Sequence, residues 1–151
     1  MTETVTEKKT ADLLISIYKN VKMAGDALLN LMPKAQDEKL KSEMTVQVSA
    51  YEAFASRAAK LLGEAGVKPE EEGIVTKLTA KWGMAMNTMR DSSTGHLAEM
   101  IIEGTTMGIT DMLRQIRENE NTNASESSLR LARDVCSYEE QTVENMKAFL
   151  R

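Results

Sequence analysis

A chain of 151 residues with 42% hydrophobic and 28% charged residues is long enough to bury one real core and has the balance of a single globular domain. The formal net charge of −4 and a pI near 5.2 exclude nucleic acid and anionic membrane as natural partners. The single cysteine, Cys136, excludes an internal disulfide and fits a reducing cytoplasm; no apolar run approaches the roughly 18 residues of a membrane span.

Residues 1–6 read as a polar, frayed tail, and the stretch Met1 to Thr10 lacks the apolar core of a signal peptide. A first helix is expected over about 7–32, where Leu14, Ile17, Val21, Ala24, Leu28 and Met32 recur three and four apart. Pro33 stops it, because the residue before a proline resists the α conformation. A second helix is expected over about 35–65, with Leu40, Met44, Tyr51, Phe54, Ala55, Ala58 and Leu62 on one face and Gln47 among them. Gly66 suits the position after its end.

Pro69 followed by three glutamates signals another helix start, and a third helix is expected over about 70–91 with Ile74, Leu78, Trp82, Ala85 and Met89 inward. Asp91 to Gly95 is a cluster of cap and turn residues. A fourth helix is expected over about 94–118 along Leu97, Ile101, Ile109, Met112 and Ile116. Glu118 to Ser125 is a polar loop, and the last helix fills about 126–150. No strand pattern occurs. Eleven methionines against six aromatics (one Trp, three Tyr, two Phe) fit helical packing, since Met fills irregular gaps and favours helices.

Two long helices joined tightly, a segment 66–93, then two more joined by a short loop predict an all-α chain. The arrangement expected is a four-helix bundle of two antiparallel pairs with a long helical crossover, all within a single domain spanning 1–151. The run Trp82 to Asn87, the cluster Asp91 to Gly95 and the stretch His96-Leu97-Ala98-Glu99-Met100-Ile101-Ile102-Glu103-Gly104 resemble the middle of small bacterial ferritin-like proteins. Tyr138-Glu139-Glu140 is similar to their last bundle helix. The resemblance covers most of the chain from about residue 10. It implies the ferritin-like fold and descent from bundles that hold two metal ions with carboxylates.

Such a centre takes an acid from each of two helices and a Glu-x-x-His from each of the other two. This chain holds one histidine, His96, so two such motifs cannot be built. On the last helix Ala132, Val135, Cys136, Val143, Met146 and Leu150 share an arc with an acid, Glu139, near its middle, and Thr142 stands where a Glu-x-x-His histidine would fall. A lone carboxylate in an apolar face is neutral, paired or metal-bound. Gln47, Tyr51 and Glu139 therefore read as a buried polar layer, with Tyr18 or a lysine as further partners for the acid. Cys136 reads as a small core residue.

His96, Glu99 and Glu103 share one side of the fourth helix and, with Glu139, are the candidate metal ligands, suited to iron, manganese or zinc. Relative to the main stripe of that helix they lie on the far side and read as a solvated face, although Met100, Gly104 and Met107 point the same way. Gly104 and Gly108 form a Gly-x-x-x-Gly that permits close helix approach. The expected function is that of a non-catalytic, cytoplasmic bundle without cofactor, acting as a homodimer or with a helical protein partner. The alternative is a metal-binding protein or minor oxidoreductase using His96, Glu99, Glu103 and Glu139.

Overall fold

A computed structural model describes residues 5–68, 83–122 and 124–150. Among them the regular structure is helical, with no strand: α1 Val5–Leu31, α2 Glu38–Glu64, α3 Thr94–Glu120 and α4 Glu126–Met146. A 3-10 turn, Met32–Lys34, follows α1, and a second, Lys147–Phe149, follows α4.

The ends of the helices have local chemical causes. α1 begins at Val5, so residues 5 and 6 belong to the helix and not to a tail. It gives way at Leu31 to a 3-10 turn that holds Pro33 in its first residues, where a missing N–H is harmless. α2 starts at Glu38 because Asp37 caps it, accepting the Leu40 N–H at 2.9 Å. It ends as predicted around Gly66. The φ of +76° there lets Gly66 N–H reach the Gly63 carbonyl at 3.0 Å and Val67 N–H reach Leu62 at 2.8 Å, the paired bonds of a Schellman turn.

The expected helix over 70–91 falls partly outside the described residues, 69–82 and Trp82 among them. Within the rest, 83–87 is helical and 89–93 is not, so the chain breaks before α3 and the two do not run on as one helix. Ser93 then caps α3, taking the His96 N–H at 3.3 Å, while Asp91 accepts the Ser93 N–H at 2.9 Å. α3 runs to Glu120, two residues past expectation, because Asn119 is buried and ties back to Gln115 O at 2.7 Å. Ser125 caps α4 by accepting Ser128 N–H at 3.2 Å. Beyond Met146 the α register is lost, and Leu150, placed by periodicity on the apolar arc, ends 39% exposed.

Cross-helix contacts settle the topology. α1 packs chiefly on α2, and α3 on α4. Arg57 meets Asp134 at 3.0 Å, Tyr51 meets Glu139 and Gln47 meets Met146, so α2 and α4 are antiparallel. Ser125 N–H donates to Thr10 Oγ1 at 2.8 Å, which puts the starts of α1 and α4 at one end. α1 and α4 thus run one way, α2 and α3 the other. Each 27-residue helix is about 40 Å long. The end of α2 and the start of α3 therefore lie at opposite ends of the bundle.

The core lies where the apolar stripes meet. Leu13, Leu14, Ile17 and Val21 of α1, Leu40, Met44 and Leu62 of α2, Leu97 and Met112 of α3, and Leu131, Val135 and Met146 of α4 are sealed from solvent. Each such side chain stabilises the fold by about 1.5–3 kcal/mol. α3 is covered on a second side as well: Met100, Thr105 and Gly108 are buried beside the main stripe.

Candidate functional site

The middle of the bundle is polar. Glu139 of α4 follows Ala132, Val135 and Cys136 along one buried face, and the helical repeat carries its carboxyl inward, 1% exposed. From α2, Tyr51 arrives by the same logic and donates its hydroxyl to Glu139 Oε2 at 3.2 Å. The Tyr51 oxygen also hydrogen-bonds Thr105 of α3. Its ring is fixed by Tyr138, edge to face at 5.8 Å and 87°, and Tyr138 in turn packs on Phe54 at 5.6 Å.

Gly108 of α3 stands against the acid. A Cβ at that position would overlap Glu139 Oε2 and lie 3.2 Å from Cδ, so any larger residue there makes the carboxyl shift from this position. The wider role expected for Gly104 and Gly108 as a helix-approach seam is thereby corrected for Gly108: the space it opens is taken by a side chain. The Gly108 carbonyl accepts Asn20 Nδ2 at 3.3 Å, and the same amide donates to Asp111 Oδ2 at 3.2 Å. Four helices thus each contribute a group: Asn20, Tyr51, Gly108 with Thr105, and Glu139.

Burial dominates the electrostatics. It pushes the Glu139 carboxyl up to about 8; the Tyr51 hydrogen bond works the other way, and the Asp111 charge adds to the rise. Burial also raises Tyr51 well above its ordinary value, helped by the charge of Glu139. In both groups burial favours the protonated form. Among the described residues Glu139 Oε1 and Asn20 Oδ1 find no hydrogen-bond partner. Gln47, also buried, does not join this pair: its Nε2 donates to Glu43 at 3.2 Å and lies 3.3 Å from Met146 Sδ, with its own Oε1 unpaired. Cys136 donates to Glu140 at 3.4 Å, and burial pushes its thiol up to about 12.

The four candidate metal ligands are not brought together. Glu99 and Glu103 are exposed on α3, and His96 Nδ1 lies 3.8 Å from Glu99 Oε2 at the surface, whereas Glu139 is inside. Among the described residues no three His, Cys, Asp or Glu side chains form a group able to hold a metal ion. Glu139 is the only acid among the buried described residues, and Thr142 beside it is buried too. A dinuclear carboxylate centre needs several acids and two imidazoles. One carboxyl, a phenol and one side-chain amide do not fit it. Sequence reasoning missed Asn20 and Thr105. Asn20 falls among Ile17, Val21 and Ala24 on the apolar arc of α1, and that misplaced amide was the available signal.

No protein-family model matches the sequence, and a comparison with curated proteins returns no match. Among solved structures the chain is similar to a protein described as a dodecameric thioferritin, the bacterioferritin-related protein from Bacteroides fragilis. The TM-score is 0.73 over 95% of this chain and 84% of that one, at 11% sequence identity. Among the described residues no helix is long and apolar enough to cross a membrane. Two antiparallel pairs in the order up, down, down, up, together with that likeness, give this chain the ferritin-like fold.

Proposed function

We propose that this chain is a non-catalytic ferritin-like bundle that acts by associating with copies of itself, and that the dinuclear metal centre of the fold is degenerate in it. One observation carries the reading: among the described residues the polar layer at the bundle's middle holds a single buried acid, hydrogen-bonded to a phenol and with no second buried acid or imidazole beside it. One carboxyl falls short of the several acids and two imidazoles that a dinuclear carboxylate centre takes. Association is supported by the solved protein of similar fold, described as dodecameric. Leu29, Val46 and Leu113 add apolar surface that a partner copy can cover.

Elemental analysis after aerobic and anaerobic purification, with Fe(II), Mn(II) and Zn(II) titrations, tests the metal half of the proposal. The expected result is no stoichiometric metal. Stoichiometric metal that disappears in Glu139→Ala would replace this reading with that of a metal-binding protein or minor oxidoreductase. Light scattering tests the other half: a homodimer or larger homo-oligomer is expected, and a monomer at micromolar concentration refutes self-association.

A further inference from the structure

α1 and α3 meet along a furrow that opens to solvent as a groove of about 510 Å³. Met23 of α1 and Met107 of α3 form its middle, both half-buried, and Ala27 and Gly104, also half-buried, continue it along the two helices. Beside the groove, sharing Asn20, Met23 and Gly108 as walls, lies a cavity of about 40 Å³ lined by Leu28, Leu31 and Ile101 and closed by Tyr51 and Glu139. That inner space suits water and nothing larger, so what the furrow receives from outside it receives on its outer face.

Charge is divided along that face. The Asn20 amide meets Gly108 and Asp111, which sets the level of α1 against the antiparallel α3. Counted from there, Met23 and Met107 lie at one level, Asp26 and Glu103 about 5 Å to one side of it, and Lys19 about 5 Å to the other with Arg114 beyond. Steps of 100° from the two methionines put these four charged residues on the outer side, and all four are exposed. The positive end also carries Asp111, which Arg114 engages at 3.7 Å. Lys19, Asp26 and Glu103 make no ion pair among the described residues, whereas Arg57, Arg133 and Lys147 on other faces do.

We infer that the α1–α3 face is where two copies of this chain meet, in a two-fold pairing that sets Met23 against the second copy's Met107 and Lys19 against its Asp26 and Glu103. The inference rests on the self-association already proposed and adds the face to it. A two-fold interface requires that residue i meet j while j meets i. Here a half-turn about the methionines lays the positive end of each copy on the negative end of the other, so the pattern complements itself. Methionine side chains adapt their shape to whatever packs on them, and the small Ala27 and Gly104 let the second copy approach closely. The area suffices as well. Two helices of 27 residues, each about 40 Å long and 10 Å across, present up to about 800 Å², which is what one partner gives to an interface of standard size.

The test is sedimentation equilibrium of the whole chain over a concentration series, with variants at exposed positions whose folding is checked by far-ultraviolet circular dichroism. Lys19→Glu places like charges opposite each other twice per dimer and should weaken association about tenfold or more. Lys19→Glu combined with Glu103→Lys restores the net charge and one attractive pairing per copy, and should associate about threefold or more tightly than Lys19→Glu alone. Lys39→Glu, the same change of charge on the exposed side of α2, should leave the dissociation constant as it is. Lys19→Glu associating like the native protein, Lys39→Glu weakening it equally, or no recovery in the double variant would overturn this face while leaving self-association in place. A native chain that is monomeric at tens of micromolar, as a face kept for a different protein would give, ends both.

Discussion

Stability should fall as pH rises from about 5 to about 8, and Glu139 should be the reason. Its folded-state carboxyl titrates at about 8, against an ordinary value of 4.5. Between those limits the folded chain keeps a proton that the unfolded chain has released. The derivative of unfolding free energy with pH is then negative, about −1.4 kcal/mol per pH unit for one such group. The contribution is fully present below about 4.5, shrinks steadily above it and is gone once pH passes about 8; the whole interval amounts to about 5 kcal/mol. That is a large part of the 5–15 kcal/mol typical of a domain. The assay is urea unfolding at half-unit steps from pH 5 to pH 8 with chelator present, for the native protein and for Glu139→Gln, whose amide does not ionise. The gap between the two curves should widen in favour of Glu139→Gln by about 3–5 kcal/mol over that range. Parallel curves would refute the reasoning, since they would mean that the carboxyl titrates alike in both states.

Gly108→Ala should destabilise the protein by about 1–3 kcal/mol despite the better helix former, because the new methyl displaces the carboxyl from Tyr51. In a Glu139→Ala background the same change should stabilise by about 1 kcal/mol, and denaturant midpoints of the four proteins in this cycle read the reversal directly. Cys136, with its thiol pushed up to about 12 and its side chain buried, should resist Ellman's reagent at pH 8 until urea unfolds the chain. Rapid labelling of the folded protein would contradict the burial.

The candidate site was legible in the sequence to a definite depth. Glu139 stands out because 100° steps along α4 place an acid among Ala132, Val135 and Cys136, and the structure buries it. Tyr51 and Gln47 stand in the stripe of α2 and are buried as well, but only Tyr51 reaches the acid. The polar trio His96, Glu99 and Glu103 reads as the far side of its helix, and Glu99 and Glu103 are indeed exposed. Pro33, Gly66 and Ser93 mark helix ends through φ limits and cap chemistry, which are local properties.

Periodicity reports which face of a helix is buried and stays silent on what stands opposite. Tyr51 and Glu139 are 88 residues apart, as are Asn20 and Gly108, and no local pattern links either pair. The role of Gly108 as room for a carboxyl, the junction of Asn20 with its carbonyl, and the apolar seam ending at two unpaired oxygens exist only once four helices meet. Composition, helix content and the isolation of one acid followed from the order of residues alone, because each depends on neighbours within one or two turns. The upward shift of that acid's pKa and the cavity beside it were decided by tertiary packing, because desolvation and free volume are properties of what surrounds a group.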